Sequence, residues 1–128
     1  MGNGTSIGRV RGLGSAHEGA HHWIVQRFTA IGNLVLMAWL AVSFIMIGDL
    51  NYEAVSAWLK KPIAAVPMML LVITLFWHAR LGLQVLIEDY IHNSGTKFGA
   101  LSALNLAAFG GGAFALFSVA SLAFGVQA

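Results

Sequence analysis

The chain has 128 residues, of which 58% are hydrophobic and only 9% charged, and its mean hydropathy is +0.76. These values exclude an ordinary soluble domain and match three membrane-spanning helices of about 20 residues each. The net charge of +2 includes no basic run, which argues against a nucleic-acid partner, and the absence of cysteine excludes disulfides and thiolate chemistry in this chain.

Residues 1–22 form the first predicted segment, and glycine is frequent in it. Glycine loses more conformational freedom on ordering than any other residue, so we predict an extended arm on the cytoplasmic or matrix side. The remainder, residues 23–128, is predicted to be the membrane domain. The glycines of the arm are Gly2, Gly4, Gly8, Gly12, Gly14 and Gly19.

The hydrophobic pattern predicts three spans and one short surface helix. The first span begins at Ile24 or Thr29 and ends at Ile47, the second covers about Ile63–Ile87, and the third about Phe98–Phe124. A surface helix over Tyr52–Leu59 is predicted between the first two, with aromatic side chains suited to the membrane interface. The fold class is therefore an all-α membrane protein, and the glycines at 110–112 favour close helix packing in the third span.

Orientation follows from the lysines and arginines, which are enriched on the cytoplasmic side of membrane proteins. Five of them lie in the arm or towards the end of the second span, against Lys60 and Lys61 on the other side. We therefore predict a cytoplasmic or matrix N-terminus and an outside C-terminus. The five are Arg9, Arg11, Arg27, Arg80 and Lys97.

His78 lies near mid-membrane in the second span, where an ionisable residue is costly and indicates function. Neutral imidazole is an axial ligand for haem iron; a hydrogen bond to a neighbouring helix is the alternative. Gly82 follows on the same face and lets a backbone or a flat cofactor approach closely. A second axial ligand would have to come from another polypeptide, because the remaining histidines lie outside the spans: His17, His21, His22 and His92.

Three polar residues spaced four apart, Arg80, Gln84 and Glu88, form a second stripe on the same helix. Arg80 could bind a propionate or a carboxylate of a partner, or all three could form an intrahelical ladder. Asp89 and Tyr90 follow where the helix reaches water. They suit a quinone headgroup, which accepts a hydrogen bond from a phenol, or are simply an interfacial tyrosine and a solvated acid.

The pattern H-x10-D-Y-[VI]-H from His78 to His92 resembles the second helix of the small hydrophobic membrane anchor of succinate dehydrogenase (respiratory complex II). The segment His21–Ala30, reading HHWIVQRFTA, is similar to the start of the first helix in that family. The two motifs occur in the family's order, and the resemblance covers about residues 16–105. It is closest to the alphaproteobacterial and mitochondrial type.

The resemblance implies a protein that is half of a heterodimeric anchor bundle. In that bundle the small anchor and a second membrane protein, here called the companion anchor, hold a b-type haem between them, and His78 matches the axial ligand from the small anchor. Arg27 matches an arginine near the haem propionates, and Arg80, which departs from the family pattern, is a second candidate for that role. Tyr90, with Asp89 beside it, matches the tyrosine that hydrogen-bonds ubiquinone.

The partners implied by the resemblance are the companion anchor, the iron–sulfur subunit and the flavoprotein subunit, in a bacterial or mitochondrial inner membrane. This chain alone would not oxidise succinate. The alternatives are an anchor of a fumarate reductase-type quinone oxidoreductase, a small transporter that uses the charges of the second span, and a purely structural anchor without haem.

Overall fold

The computed structural model describes the backbone of residues 16–126 and, within that range, all side chains except those of residues 16–19 and 22. The described residues form four helices: α1 (Ala16–Ile47), α2 (Tyr52–Leu59), α3 (Pro62–Tyr90) and α4 (Ser94–Phe124). Three of them contain segments long and apolar enough to cross a membrane, within Trp23–Ile47, Pro62–Tyr90 and Ser94–Phe124. The predictions of an all-α membrane protein with three spans are confirmed.

The first helix begins earlier than predicted. Its first residue is Ala16, so residues 16–22 are helical and the prediction that they are extended was wrong. The prediction relied on six glycines that disfavour a helix, but five of them precede position 16. Only Gly19 lies inside the helix. Residues 1–15 of the predicted arm lie outside the described residues.

Most helix ends coincide with residues that favour termini. Gly48 follows α1 with φ of 76°, and Gly125 follows α4 with φ of 70°, a left-handed conformation that glycine adopts without a steric penalty. Asn51 and Asn93 precede α2 and α4, and each Oδ1 accepts a backbone N–H from three residues later, at 2.8 and 3.1 Å. Pro62 begins α3, where its missing N–H is not needed.

The short helix α2 occupies the predicted range, Tyr52–Leu59. It is held against α1 by Trp58, whose ring stacks on Trp39 with centroids 5.5 Å apart and meets Phe44 edge-on at 5.9 Å. Aromatic pairs of this kind add about 0.5–1.5 kcal/mol beyond the area they bury. Of the two aromatic residues predicted for the interface, Tyr52 is exposed and Trp58 is partly covered by this stack.

Helix α3 is central, since it packs along both α1 and α4. Four of the apolar side chains buried within the chain belong to it: Ala64, Ala65, Leu71 and Leu81. Most large apolar side chains of α1 and α4 are instead exposed on the isolated chain. In a membrane these side chains contact lipid or partner helices, and the helices associate through close packing and polar contacts because lipid supplies no hydrophobic driving force between them.

The glycines at 110–112 show where α3 and α4 meet. Gly111 and Gly112 face Phe76 of α3, and a Cβ placed on Gly111 would lie 2.9 Å from Phe76 Cε1. Apart from the backbone of its own helix, a Cβ on Gly110 would have no atom of the described part of the chain within 4 Å. The prediction that these glycines serve helix packing is therefore confirmed for two of the three.

This difference predicts an asymmetric response to leucine substitution. Gly111→Leu should displace Phe76 and destabilise the α3–α4 pair by about 1–3 kcal/mol, the usual cost of overpacking, whereas Gly110→Leu, on the open side, should cost less than about 0.5 kcal/mol. Thermal denaturation in detergent measures both. Equal losses for the two variants would show that the glycines do not differ in packing.

Candidate functional site

His78 lies on the face of α3 that packs against α1, and its side chain is half-buried. Its Nδ1 atom is 3.1 Å from the hydroxyl oxygen of Thr29 on α1. The side chains that the structure describes form no hydrogen bond with Nε2. Twelve residues separate His78 from the end of the helix, or about 18 Å at 1.5 Å per residue, so the imidazole lies at membrane depth.

Polar residues line α1 on the side that meets this face. Gln26, Thr29 and Asn33 are three and four residues apart, which places them on one helical face. Asn33 is 9% exposed and donates through Nδ2 to the carbonyl of Thr74, at 3.4 Å. The side-chain carbonyl oxygens of Gln26 and Asn33 are buried, and no described residue forms a hydrogen bond with either of them. We call these three residues the polar seam; sequence reasoning missed it, although its spacing was a readable signal.

Gly82, one turn beyond His78, also faces this seam. A Cβ at Gly82 would lie 3.6 Å from Gln26 Nε2, an ordinary contact distance. The neighbour of Gly82 among the described residues is therefore a side chain at ordinary distance, and the approach of a backbone or a flat cofactor stays a prediction. Within this chain, the region around His78 is a packed interface between two helices.

Arg80 lies on a different face of α3 from His78 and contacts α4. Its Nε donates to Asn105 Oδ1 at 2.6 Å, and its guanidinium carbon lies 5.6 Å from the ring centre of Trp77 and 5.4 Å from that of Phe109. Neither the guanidinium nor Asn105 faces the polar seam. Arg80 also borders an apolar groove of about 300 Å³ between α3 and α4.

The stripe formed by Arg80, Gln84 and Glu88 is divided in the structure. Gln84 Nε2 donates to Glu88 Oε1 at 2.9 Å, so the Gln84–Glu88 pair of the possible intrahelical ladder is formed. Arg80 is hydrogen-bonded to Asn105 instead. Lys97 from the start of α4 donates to the backbone carbonyl of Glu88 at 3.0 Å and so ties the two helices together at this end.

Arg27 lies on α1 near the start of the first membrane segment, and its side chain is exposed. The guanidinium carbon is 5.4 Å from the ring centre of Trp23, a cation–π contact one turn earlier. This leaves the hydrogen-bond donors of the guanidinium accessible to an anion at the membrane edge. His21 is also exposed, whereas the side chains of His17 and His22 lie outside the described residues.

Asp89 and Tyr90 occupy the last two positions of α3, and both side chains are exposed. Tyr90 is 78% exposed, so the phenol projects from the chain instead of lining a closed pocket. The structure places this pair on the same helix as His78 but does not bring the three side chains into contact. A closed site for a ligand at Tyr90 would need surfaces beyond the described residues of this chain.

Comparison with known proteins identifies the family. The model of the succinate dehydrogenase/fumarate reductase transmembrane subunits matches residues 1–120. The chain belongs to this family. It is 40% identical over 85 residues to the succinate dehydrogenase hydrophobic membrane anchor subunit of Rickettsia bellii, a match that covers 66% of this chain and 68% of that protein.

Two further relatives extend the comparison. The succinate dehydrogenase membrane anchor subunit of Reclinomonas americana is 31% identical over 83 residues, covering 62% of this chain and 69% of the relative. The corresponding anchor of Paracoccus denitrificans is 32% identical over 93 residues, covering 72% and 70%. The prediction of a membrane anchor of this enzyme family is confirmed. The family assignment argues against the alternative of a small transporter.

For a transmembrane protein of this family, the residues present fit one half of a haem site. His78 supplies an imidazole at membrane depth with Nδ1 hydrogen-bonded and Nε2 without a hydrogen bond to any described side chain, the arrangement found for histidines that bind metals. Among the residues that the structure describes, no cluster of three metal-binding side chains is present. Any iron bound at His78 would need further ligands from outside the side chains that the structure describes.

Proposed function

We propose that this chain is the small membrane anchor of a succinate:ubiquinone oxidoreductase, in which it shares a b-type haem with the companion anchor and contributes to the site where ubiquinone is reduced. The observation that carries the proposal is the state of His78. Its imidazole is held at Nδ1 by a neighbouring helix, at a depth where histidine is rare, and Nε2 remains available.

The role proposed for His78 is that of one axial ligand, through Nε2. The chemistry that a bound haem supplies here is storage of one electron between an iron–sulfur centre and the quinone. Arg27 is proposed to bind a haem propionate, and its exposure at the membrane edge supports that role because a charged donor with free N–H groups forms stronger hydrogen bonds to a carboxylate than a neutral donor does.

Arg80 is the weaker candidate for a second propionate partner. Its guanidinium is turned towards α4, where Asn105, Trp77 and Phe109 surround it. This environment supports a different role, in which Arg80 joins α3 to α4. Hydrogen bonds between membrane helices contribute about 0.6–2 kcal/mol.

Substitution of Arg80 distinguishes these roles. We expect Arg80→Ala to leave the haem midpoint potential unchanged and to lower the thermal stability of the complex, and Asn105→Ala to lower it similarly. Redox titration and thermal denaturation of the purified complex provide both values. A shift in the potential for Arg80→Ala without one for Asn105→Ala would restore the propionate role.

Ubiquinone reduction is assigned to Tyr90 and Asp89. The Tyr90 hydroxyl donates a hydrogen bond to a quinone carbonyl, where negative charge develops as electrons arrive, and a preorganised donor there lowers the barrier. Asp89 orients the phenol or passes a proton to the reduced quinone, which needs two protons for its two electrons. The open position of both side chains at the end of α3 leaves room for a docked protein that would close the pocket.

The same end of α3 is proposed as the docking side for the soluble subunits. Because α1 crosses the membrane once and α3 crosses it back, the start of α1 and the end of α3 lie on one side. The five lysines and arginines counted on that side, against Lys60 and Lys61 on the other, support a cytoplasmic or matrix location for it. The iron–sulfur and flavoprotein subunits would bind there, and the companion anchor would pack beside this chain within the membrane.

Purification through an affinity tag on this chain tests the proposal. A flavoprotein, an iron–sulfur protein and a second small membrane protein should co-purify, with succinate-dependent reduction of ubiquinone and a reduced-minus-oxidised spectrum typical of b-type haem. A complex with the flavoprotein but no haem spectrum would support the purely structural anchor instead. Recovery of the chain without a flavoprotein would contradict the assignment.

A further inference from the structure

The geometry around Thr29 indicates which group donates the hydrogen in its contact with His78. The Thr29 hydroxyl oxygen lies 2.9 Å from the carbonyl oxygen of Val25, 3.1 Å from that of Gln26 and 3.1 Å from His78 Nδ1. A hydroxyl has one proton to donate and two lone pairs that accept. A carbonyl only accepts, so the hydroxyl proton belongs to the carbonyls one turn earlier on α1, the usual bond of a helical threonine.

It follows that the hydroxyl accepts from the imidazole. With its proton directed at the α1 carbonyls, the Thr29 oxygen presents a lone pair to Nδ1, and the bond forms only if Nδ1 carries the ring proton. A neutral imidazole protonated at Nδ1 has its free lone pair at Nε2. The contact thus selects the tautomer in which Nε2 can bind a metal, and it fixes the ring plane between α1 and α3.

We propose that Thr29 is a positioning residue for the haem ligand, which sets the tautomer and orientation of His78 and adjusts the basicity of its metal-binding nitrogen. This inference rests on the proposed function, because it requires His78 to be an axial ligand. Histidines that bind metals regularly donate their second N–H to a nearby acceptor, and loss of that acceptor costs about 10–100-fold in metal affinity. Here the acceptor is a hydroxyl from another membrane helix.

The expected effect on the haem potential has a defined sign. A hydrogen bond from Nδ1 leaves more electron density on Nε2 and favours ferric over ferrous iron. Thr29→Val keeps the shape of the side chain but removes the acceptor, so the midpoint potential should rise. If ferric haem loses about tenfold more affinity than ferrous haem, the rise for this one-electron couple is about 59 mV.

Thr74→Val is the matched control. Thr74 lies on α3 one turn before His78, and its hydroxyl bonds its own helix in the same way, 2.8 Å from the carbonyl of Leu70 and 3.3 Å from that of Leu71. No hydrogen bond joins this hydroxyl to the imidazole of His78 in the structure. Any effect of removing a threonine hydroxyl from a membrane helix should therefore appear in both variants, and only the effect on the ligand should be specific to Thr29.

The experiment compares the whole complex carrying Thr29→Val, Thr29→Ser, Thr74→Val or His78→Ala, with haem content and midpoint potential as readouts. We expect a raised potential and looser haem for Thr29→Val, and wild-type values for Thr29→Ser and Thr74→Val. Should Thr29→Val fail to assemble, Thr29→Ala, which also removes the acceptor, is compared with Thr29→Ser. A potential that is unchanged, or that shifts equally in Thr74→Val, would overturn the role of Thr29.

His78→Ala separates this result from the proposed function. Loss of the haem spectrum in His78→Ala together with an unchanged potential in the Thr29 variants would leave the ligand assignment intact and refute only the positioning role. A haem spectrum that is unaltered in His78→Ala would refute the ligand assignment and the role of Thr29 with it.

Discussion

Replacing His78 with alanine should reduce the haem content of the purified complex by about tenfold or more. This figure is a lower bound, because loss of an outer hydrogen-bond partner alone costs about 10–100-fold in metal affinity and this variant removes the ligand itself. Any haem that remains should change its absorption spectrum, since one axial position is lost. The reduced-minus-oxidised spectrum, normalised to bound flavin, measures both effects.

His92→Ala provides the control for this experiment. His92 follows the end of α3 and is exposed, so its removal should leave the haem spectrum unchanged. The comparison separates loss of an imidazole at membrane depth from loss of a surface histidine on the same segment. Wild-type haem content and spectrum in His78→Ala would show that iron is bound elsewhere.

The architecture could be predicted from the sequence because it depends on composition and local signals. A run of apolar residues long enough to cross the bilayer must be helical, since no water is available for its backbone groups. The short helix α2 has its own boundary signal in Asn51, whose side chain caps it. The start of α1 was missed because the helix of the span continues back through residues 16–22, where only one glycine opposes it.

The contacts between helices could not be predicted in the same way. In a soluble helix the apolar stripe indicates which face is buried, but α1 is apolar nearly all round, so its rotation is not determined by hydrophobicity. The remaining signal was the spacing of Gln26, Thr29 and Asn33 along one face. Their pairing with α3 depends on how the two helices approach, which only the structure supplies.

Arg80 is a second example of a contact between helices that the sequence could not predict. Its spacing to Gln84 and Glu88 indicated an intrahelical ladder or an anionic partner, yet the guanidinium bonds Asn105, 25 residues later on another helix. Sequence spacing shows which residues are neighbours on one helix. It does not show when a side chain will bond a residue of a second helix in place of those neighbours. The spacing of Arg80 therefore could not predict its partner on α4.

Tyr90→Phe should lower succinate:ubiquinone reductase activity about a hundredfold, while electron transfer from succinate to an artificial dye stays at the wild-type level. Removing one preorganised donor to a developing oxyanion costs about 100–1,000-fold, and the substitution removes only the phenolic hydroxyl. Dye reduction draws electrons from the soluble subunits and does not need the quinone pocket. The ratio of the two activities in the same preparation therefore isolates the step at Tyr90.

Tyr52→Phe is the matched control, because the chain has only two tyrosines and both are largely exposed. Tyr52 begins α2, on the opposite side of the membrane from the end of α3, so loss of its hydroxyl should change neither activity. Equal loss of both activities in Tyr90→Phe would indicate a fault in assembly, and full quinone reduction would show that the phenol does not contact the headgroup. Since Tyr90 is exposed among the described residues, a selective loss would also support a pocket that is completed by surfaces beyond them, such as the docked subunits proposed above.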